Sequence, residues 1–126
     1  MPPERSLGVL LISGTYERAH YAFVLAAGAA AIGRSVVLFA TNAGCRALCR
    51  NWSALAGSAE DAAVQARGVA GLAALRDAAI ELGVRLIACD AGLKVADIPP
   101  DELLPEVEVA GVATFLEAAQ GQIVTL

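Results

Sequence analysis

The chain reads as an α/β domain, a three-layer α/β/α sandwich around a mostly parallel five-stranded sheet. Three observations predict it. Short apolar runs without polar alternation recur at residues 7–12, 35–40 and 84–88, the pattern of strands buried on both faces. Longer stretches with apolar residues at helical spacing lie between them, at 17–32 and 69–82. The connections are short and rich in turn residues, so strand and helix alternate as they do in a sheet covered on both sides.

Residues 7–12 form the first strand, closed by the turn Ser13-Gly14-Thr15. Thr15 is placed to cap the Ala-rich helix over 17–32, and Gly33 to stop it. Its small residues on nearly every side suit close packing against more than one neighbour. The second strand, 35–40, ends at the turn chemistry of Thr41-Asn42-Ala43-Gly44. Between Cys45 and Arg67 the pattern is weakest; it predicts loop and short helices, with Ser58-Ala59-Glu60-Asp61 able to cap one of them. A helix over 69–82 stops at Gly83, and the third strand, 84–88, leads into Cys89. Pro99, Pro100 and Pro105 confine 97–106 to loop with at most one short helical turn. A short strand at 107–109, a helix at 113–119 and a last strand at 122–126 complete the order.

At 126 residues the chain has room for one domain, 1–126, with a sizeable core and no second unit. Hydrophobic residues make up 57%, but much of the excess is alanine, and the longest apolar run, 22–33, is too short to cross a bilayer. The opening Met-Pro-Pro-Glu-Arg-Ser has no basic region followed by a separate apolar core, which points to a cytoplasmic protein. A net charge of −4 argues against nucleic acid as a direct partner. Three cysteines with neither a CxxC pair nor a histidine at zinc-finger spacing predict free thiols and no metal.

Cys89 is the candidate nucleophile. It stands at the carboxyl end of a predicted buried strand and just before Asp90-Ala91-Gly92-Leu93-Lys94, where open α/β sheets collect their ligand chemistry. Free backbone N–H groups at a helix start favour thiolate chemistry, although a small hydrophobe ending a core strand gives the same pattern. The same rim gathers Ser13, Gly14 and Thr15, then Thr41 through Cys49, and Asp90. The hydroxyls and donors of Ser13-Gly14-Thr15 suit an anion or an ordinary strand-to-helix turn. Cys45 and Cys49, spaced i and i+4, are candidates to resolve a mixed disulfide on Cys89. His20, one turn into the first helix, is either a base at the rim or a polar-face residue. Asp90 opposes thiolate formation unless it points away and caps the helix.

Ser13-Gly14, the run Ala27-Gly28-Ala29-Ala30-Ala31-Ile32-Gly33, and Val36 to Thr41 followed by Gly44 occur in a telling order. With Gly83 to Cys89, Ile98, Glu102-Leu103 and Val109 to Leu116, the chain resembles the DsrE/DsrF-like family of sulfur-relay proteins over nearly its whole length. The resemblance implies a parallel α/β domain that assembles into homo-oligomers. It also implies a cysteine at Cys89 that carries sulfane sulfur as a persulfide between a protein donor and a protein acceptor, with no organic cofactor. Two other readings compete: a non-catalytic subunit that builds an oligomer through its Ala-rich helices and residues 103–112, and a small-molecule module using the Ser13 turn.

Overall fold

The computed structural model describes residues 5–126; the amino-terminal reading above falls largely on residues 1–4, which lie outside the described residues. Five strands, β1 (Leu7–Leu11), β2 (Val36–Ala40), β3 (Arg85–Cys89), β4 (Glu108–Ala110) and β5 (Gln122–Thr125), alternate with helices α1 (Tyr16–Ala31), α2 (Glu60–Ala66), α3 (Leu72–Glu81), α4 (Asp90–Val95) and α5 (Val112–Ala118). They form one sheet in the order β4-β3-β2-β1-β5. Every neighbouring pair is parallel, so the sheet is wholly rather than mostly parallel.

The strand order decides which face each helix covers. From β1 to β4 the chain moves steadily across the sheet, then returns to the far side of β1 for β5. Right-handed crossovers put the helices of the first leg on one face and the returning helix on the other. The packing agrees. Leu7, Val9, Leu38 and Leu86 face a large core with Phe23 of α1, Leu72 of α3 and Leu93 of α4. Val37, Phe39 and Ile87 face a smaller one with Phe115 of α5 and the following Ala119. Phe39 and Phe115 stack with ring centroids 4.9 Å apart. Gly8 lets α5 lie flat on this face, since a Cβ there would stand 2.7 Å from the Cβ of Ala119.

Both predicted helix stops are glycines in the left-handed region, with φ of 89° at Gly33 and 82° at Gly83. At each, two N–H groups turn back on the last helical carbonyls: Gly33 to Ala30 and Arg34 to Ala29, then Gly83 to Ile80 and Val84 to Ala79. Thr15 caps α1, its Oγ1 accepting from the N–H of Arg18. The α3 helix begins at Leu72, not at 69. Val69 instead closes α2, donating to the Val64 carbonyl, and is 51% exposed. Residues 42–48 form a 3-10 segment, Asn42–Leu48, and the proline-rich loop carries one short turn, Pro100–Glu102. Ser58 caps nothing; its hydroxyl donates to the Ser53 carbonyl.

Arg85 and Glu108 join β3 to β4 through two hydrogen bonds of 2.7 and 2.9 Å. Both side chains are nearly half exposed, so the pair is screened by water. Arg85→Ala is expected to cost less than about 1 kcal/mol in a urea titration.

Candidate functional site

The carboxyl rim brings together the segments that the sequence placed there. Gly14 touches the segment after β2, because a Cβ on it would stand 2.6 Å from the Cβ of Ala43. Gly44 lies against the Leu11 carbonyl, and its N–H donates to the carbonyls of Ile12 and Thr41. On the other flank Gly92 of α4 meets the backbone of Thr41 and Asn42 with no room for a side chain. Asn42 has a φ of 52°, a left-handed conformation that asparagine tolerates. The 3-10 segment is thus held between the β1 turn and α4.

Cys89 is the last residue of β3 and the N-cap of α4. Its Sγ accepts a hydrogen bond from the Gly92 N–H at 3.3 Å, the role that a serine or aspartate oxygen plays at other helix starts. The side chain is 8% exposed and packs with Val37, Phe39, Ile87 and Phe115 on the α5 face. The preceding residue, Ala88, belongs to the opposite core, as strand alternation requires.

Cys45 and Cys49 differ from it in both position and hydrogen bonding. Each packs in the α1/α3 core and is buried. The Cys45 thiol donates to the Ala40 carbonyl at 3.4 Å, and the Cys49 thiol to the Cys45 carbonyl at 3.6 Å. Burial pushes the Cys45 thiol up to about 12, with the backbone of Cys89 pulling it partly back. Cys49 is also raised, first by burial and then by Glu102, against the opposing pull of Arg76 and Arg46. These two thiols hold their protons at neutral pH.

The remaining rim residues are occupied with structure. Ser13 Oγ lies 3.0 Å from Thr15 Oγ1 and accepts from the Thr15 N–H at 3.1 Å, so both hydroxyls build the turn and the cap. Thr41 Oγ1 donates to Asn42 Oδ1 at 3.4 Å. Asp90 is exposed, and its carboxylate is drawn along α4 to Lys94, 3.8 Å away. His20 is likewise taken up by structure: its Nε2 meets the Ala70 carbonyl at 2.8 Å while its ring stacks on Tyr16.

Two buried polar residues outside the expected set hold this end of the molecule together. Asp61 is 8% exposed and accepts hydrogen bonds from the Tyr16 hydroxyl, the Gln65 amide and the Leu72 N–H. It therefore caps α3, a helix that starts eleven residues later in the sequence. Burial raises its carboxyl, but the bonds from Tyr16, Leu72 and Gln65 outweigh this and hold it below the ordinary value. Arg76 of α3 donates to the carbonyls of Ala47 and Cys49, clamping the end of the 3-10 segment. Both act by closing backbone groups of distant segments, a role that no local pattern announces. Among the described residues, no group of three His, Cys, Asp or Glu side chains is arranged to hold a metal, and no helix is long and apolar enough to cross a membrane.

Comparison with known proteins agrees with this architecture. The chain resembles the E. coli ychN protein in structure, with a TM-score of 0.72 at 12% identity over 96% of this chain and 98% of that one. It also resembles MTH1491 of Methanobacterium thermoautotrophicum, a protein of unknown function, with a TM-score of 0.55 at 16% identity over 96% and 99% of the two chains. In sequence it is 26% identical to the sulfur carrier protein DsrE2 of Allochromatium vinosum, across 92% of this chain and 93% of the relative. It is likewise 26% identical to the uncharacterized protein YrkE of Bacillus subtilis, across 91% and 92%. The profile of the DsrE/DsrF/DrsH-like family matches residues 47–126, which include β3, Cys89 and everything that follows. The chain belongs to the DsrE/DsrF/DrsH-like family.

Proposed function

We propose that this protein is a sulfur carrier that accepts sulfane sulfur as a persulfide on Cys89 and passes it to the thiol of a partner protein. The observation that carries this reading is the place of Cys89 Sγ at the end of β3 and the start of α4, where it accepts the Gly92 N–H. The thiols of Cys45 and Cys49 donate to carbonyls, and burial raises both. An N–H aimed at sulfur stabilises negative charge developing there, and the anionic sulfur is the attacking form. Similarity to a relative named as a sulfur carrier supports the same chemistry.

The steps balance without a metal or organic cofactor. The Cys89 thiolate attacks the terminal sulfur of a donor persulfide; the donor leaves as its thiolate and Cys89 carries the extra sulfur. An acceptor thiolate then attacks that outer sulfur and restores Cys89. In this proposal Thr41 and Gly14, with Ser13, Thr15, Cys45 and Asp90, act by shaping the rim around Cys89. Donor and acceptor are proteins, the setting is cytoplasmic, and the carrier works as a homo-oligomer.

Incubation of the protein with a sulfane-sulfur donor, followed by intact mass and peptide mapping, tests this. One sulfur atom is expected on Cys89, released by an external thiol and absent from Cys89→Ser. Serine is itself a good N-cap, so that variant keeps the start of α4. No sulfur on Cys89, under conditions that label another accessible thiol protein, would leave the fold without carrier chemistry and favour the interaction-subunit reading.

A further inference from the structure

We infer that the Thr41 hydroxyl donates a hydrogen bond to the outer sulfur of a persulfide on Cys89, which makes Thr41 a second donor at the carrier site. The inference rests on the carrier reading above and adds how the cargo atom is held. The Gly92 N–H serves Sγ, which becomes the inner sulfur once Cys89 is loaded. The transferred sulfur stands about 2 Å beyond it and carries the negative charge once its proton has passed to water. The side chains packed around Cys89 offer that charge nothing. Val37, Phe39, Ile87 and Phe115, with the partly buried Leu10 and Ala110, are all apolar. An anion among them without a donor is costly to keep from water.

Thr41 brings a hydroxyl to the same level of the sheet. β2 and β3 pair in register as far as Ala40 and Ala88, so the next residues, Thr41 and Cys89, are neighbours across the two strands. Thr41 keeps an extended backbone, with φ −138° and ψ 159°, and its N–H still bonds the Leu11 carbonyl of β1. Strand alternation therefore runs on through it. Thr41 shares a face with Phe39, as Cys89 does with Ile87, and both lie on the α5 side. Neighbouring strands are about 4.8 Å apart, which puts the hydroxyl within reach of an atom two bonds beyond the Cys89 Cβ. Gly92 ties the two side chains together: its N–H bonds Cys89 Sγ, and a Cβ on it would overlap Thr41 Oγ1. The hydroxyl also has little to give up. Its acceptor is the adjoining Asn42 Oδ1 at 3.4 Å, a long bond that water can replace at the exposed Asn42. The hydroxyls of Ser13 and Thr15 meet each other past the end of β1, two strands from β3.

Wild type, Thr41→Val, Thr41→Ala and Thr41→Ser, each loaded with glutathione persulfide and then trapped with iodoacetamide over a range of pH, test this by peptide mass. Thr41→Ala, too small to press on Gly92, keeps the comparison open should Thr41→Val fold poorly. Alkylation of the outer sulfur follows its ionisation. Loss of the hydroxyl is expected to move that profile up by about one pH unit, the tenfold change that a hydrogen bond to a charged group supports. Thr41→Ser should restore the wild-type profile. Alkylation of unloaded Cys89 should follow one profile in all four proteins, because Sγ keeps the Gly92 N–H. A merely structural role for Thr41 would shift the loaded and unloaded profiles together, and that result overturns the inference. So do loaded profiles that coincide in wild type and the hydroxyl-free variants; either outcome leaves the carrier reading standing. Wild-type protein that takes no sulfur on Cys89 would remove the carrier reading and this inference with it.

Discussion

Asp61→Ala is expected to lower the free energy of unfolding by about 3 kcal/mol or more, the loss of hydrogen bonds to a charged group together with the burial of their abandoned donors. The Tyr16 hydroxyl, in a side chain only 2% exposed, would lose its acceptor, and the Leu72 N–H would lose its cap. Neither can turn to water without opening the α1/α3 core. Urea denaturation followed by circular dichroism measures the change. An effect below about 1 kcal/mol, the range of ordinary surface substitutions and weak caps, would show that the network is not a structural anchor.

The same carboxylate makes stability depend on pH in a definite direction. Its folded-state pKa lies below the ordinary 3.8, so it binds protons less readily folded than unfolded. The stabilisation is therefore complete above the ordinary value and is lost as pH falls through the lowered one. Asp61→Asn removes this titration. The stability gap between wild type and Asp61→Asn should stay level near neutrality and narrow progressively below pH 3.8. A gap that widens in acid would contradict the sign of the shift.

Gly92→Ala has the second large expected effect, and two opposing terms decide it. Alanine in a helix gains up to about 1 kcal/mol over glycine. Overpacking costs about 1–3 kcal/mol, and the upper part of that range applies where the obstructing atoms are backbone. A new Cβ on Gly92 would overlap the Asn42 nitrogen and the Thr41 Oγ1, with the Thr41 Cα at 2.9 Å, so repacking a flexible side chain does not relieve it. The clash wins, α4 is lifted from the 3-10 segment, and the Gly92 N–H is drawn away from Cys89 Sγ. Net destabilisation of about 1–2 kcal/mol is expected. If the lost contact removes about 1.4 kcal/mol from the attacking sulfur, labelling of Cys89 slows about tenfold. Gly28→Ala is the contrasting variant: Gly28 is an exposed α1 residue with open space around its missing Cβ, so the same substitution should stabilise by up to about 1 kcal/mol. Equal behaviour of the two variants in thermal melts would refute the packing argument.

Much of the fold was legible in the sequence because its signals are local. Apolar runs marked β1, β2 and β3; Gly33 and Gly83 marked helix ends because the left-handed conformation there needs no partner elsewhere; and Thr15 marked a cap that closes three residues away. Cys89 at a strand's carboxyl end was legible for the same reason. The face on which its sulfur stands was not. Residue alternation in β3 says that Ala88 and Cys89 point oppositely, but which core receives each follows from the strand order and from α5 returning on the far side. The i, i+4 spacing of Cys45 and Cys49 likewise suggested helpers for Cys89, and only the packing showed both thiols buried in the larger core and bonded to carbonyls.

The sequence by itself determined the class of the domain, the alternation of its elements, the turns that close them and the thiol worth testing, since each depends on residues a few positions apart. Tertiary structure alone decided that Asp61 would cap α3, that Arg76 would clamp the 3-10 segment, that Gly92 must stay bare, and that Cys89 would pack with Phe39 and Phe115 in the smaller core. Those outcomes depend on which distant backbone groups come to lie side by side. Hydrogen bonding and close packing act between neighbours in space, and a parallel sheet makes neighbours of segments separated by whole helices.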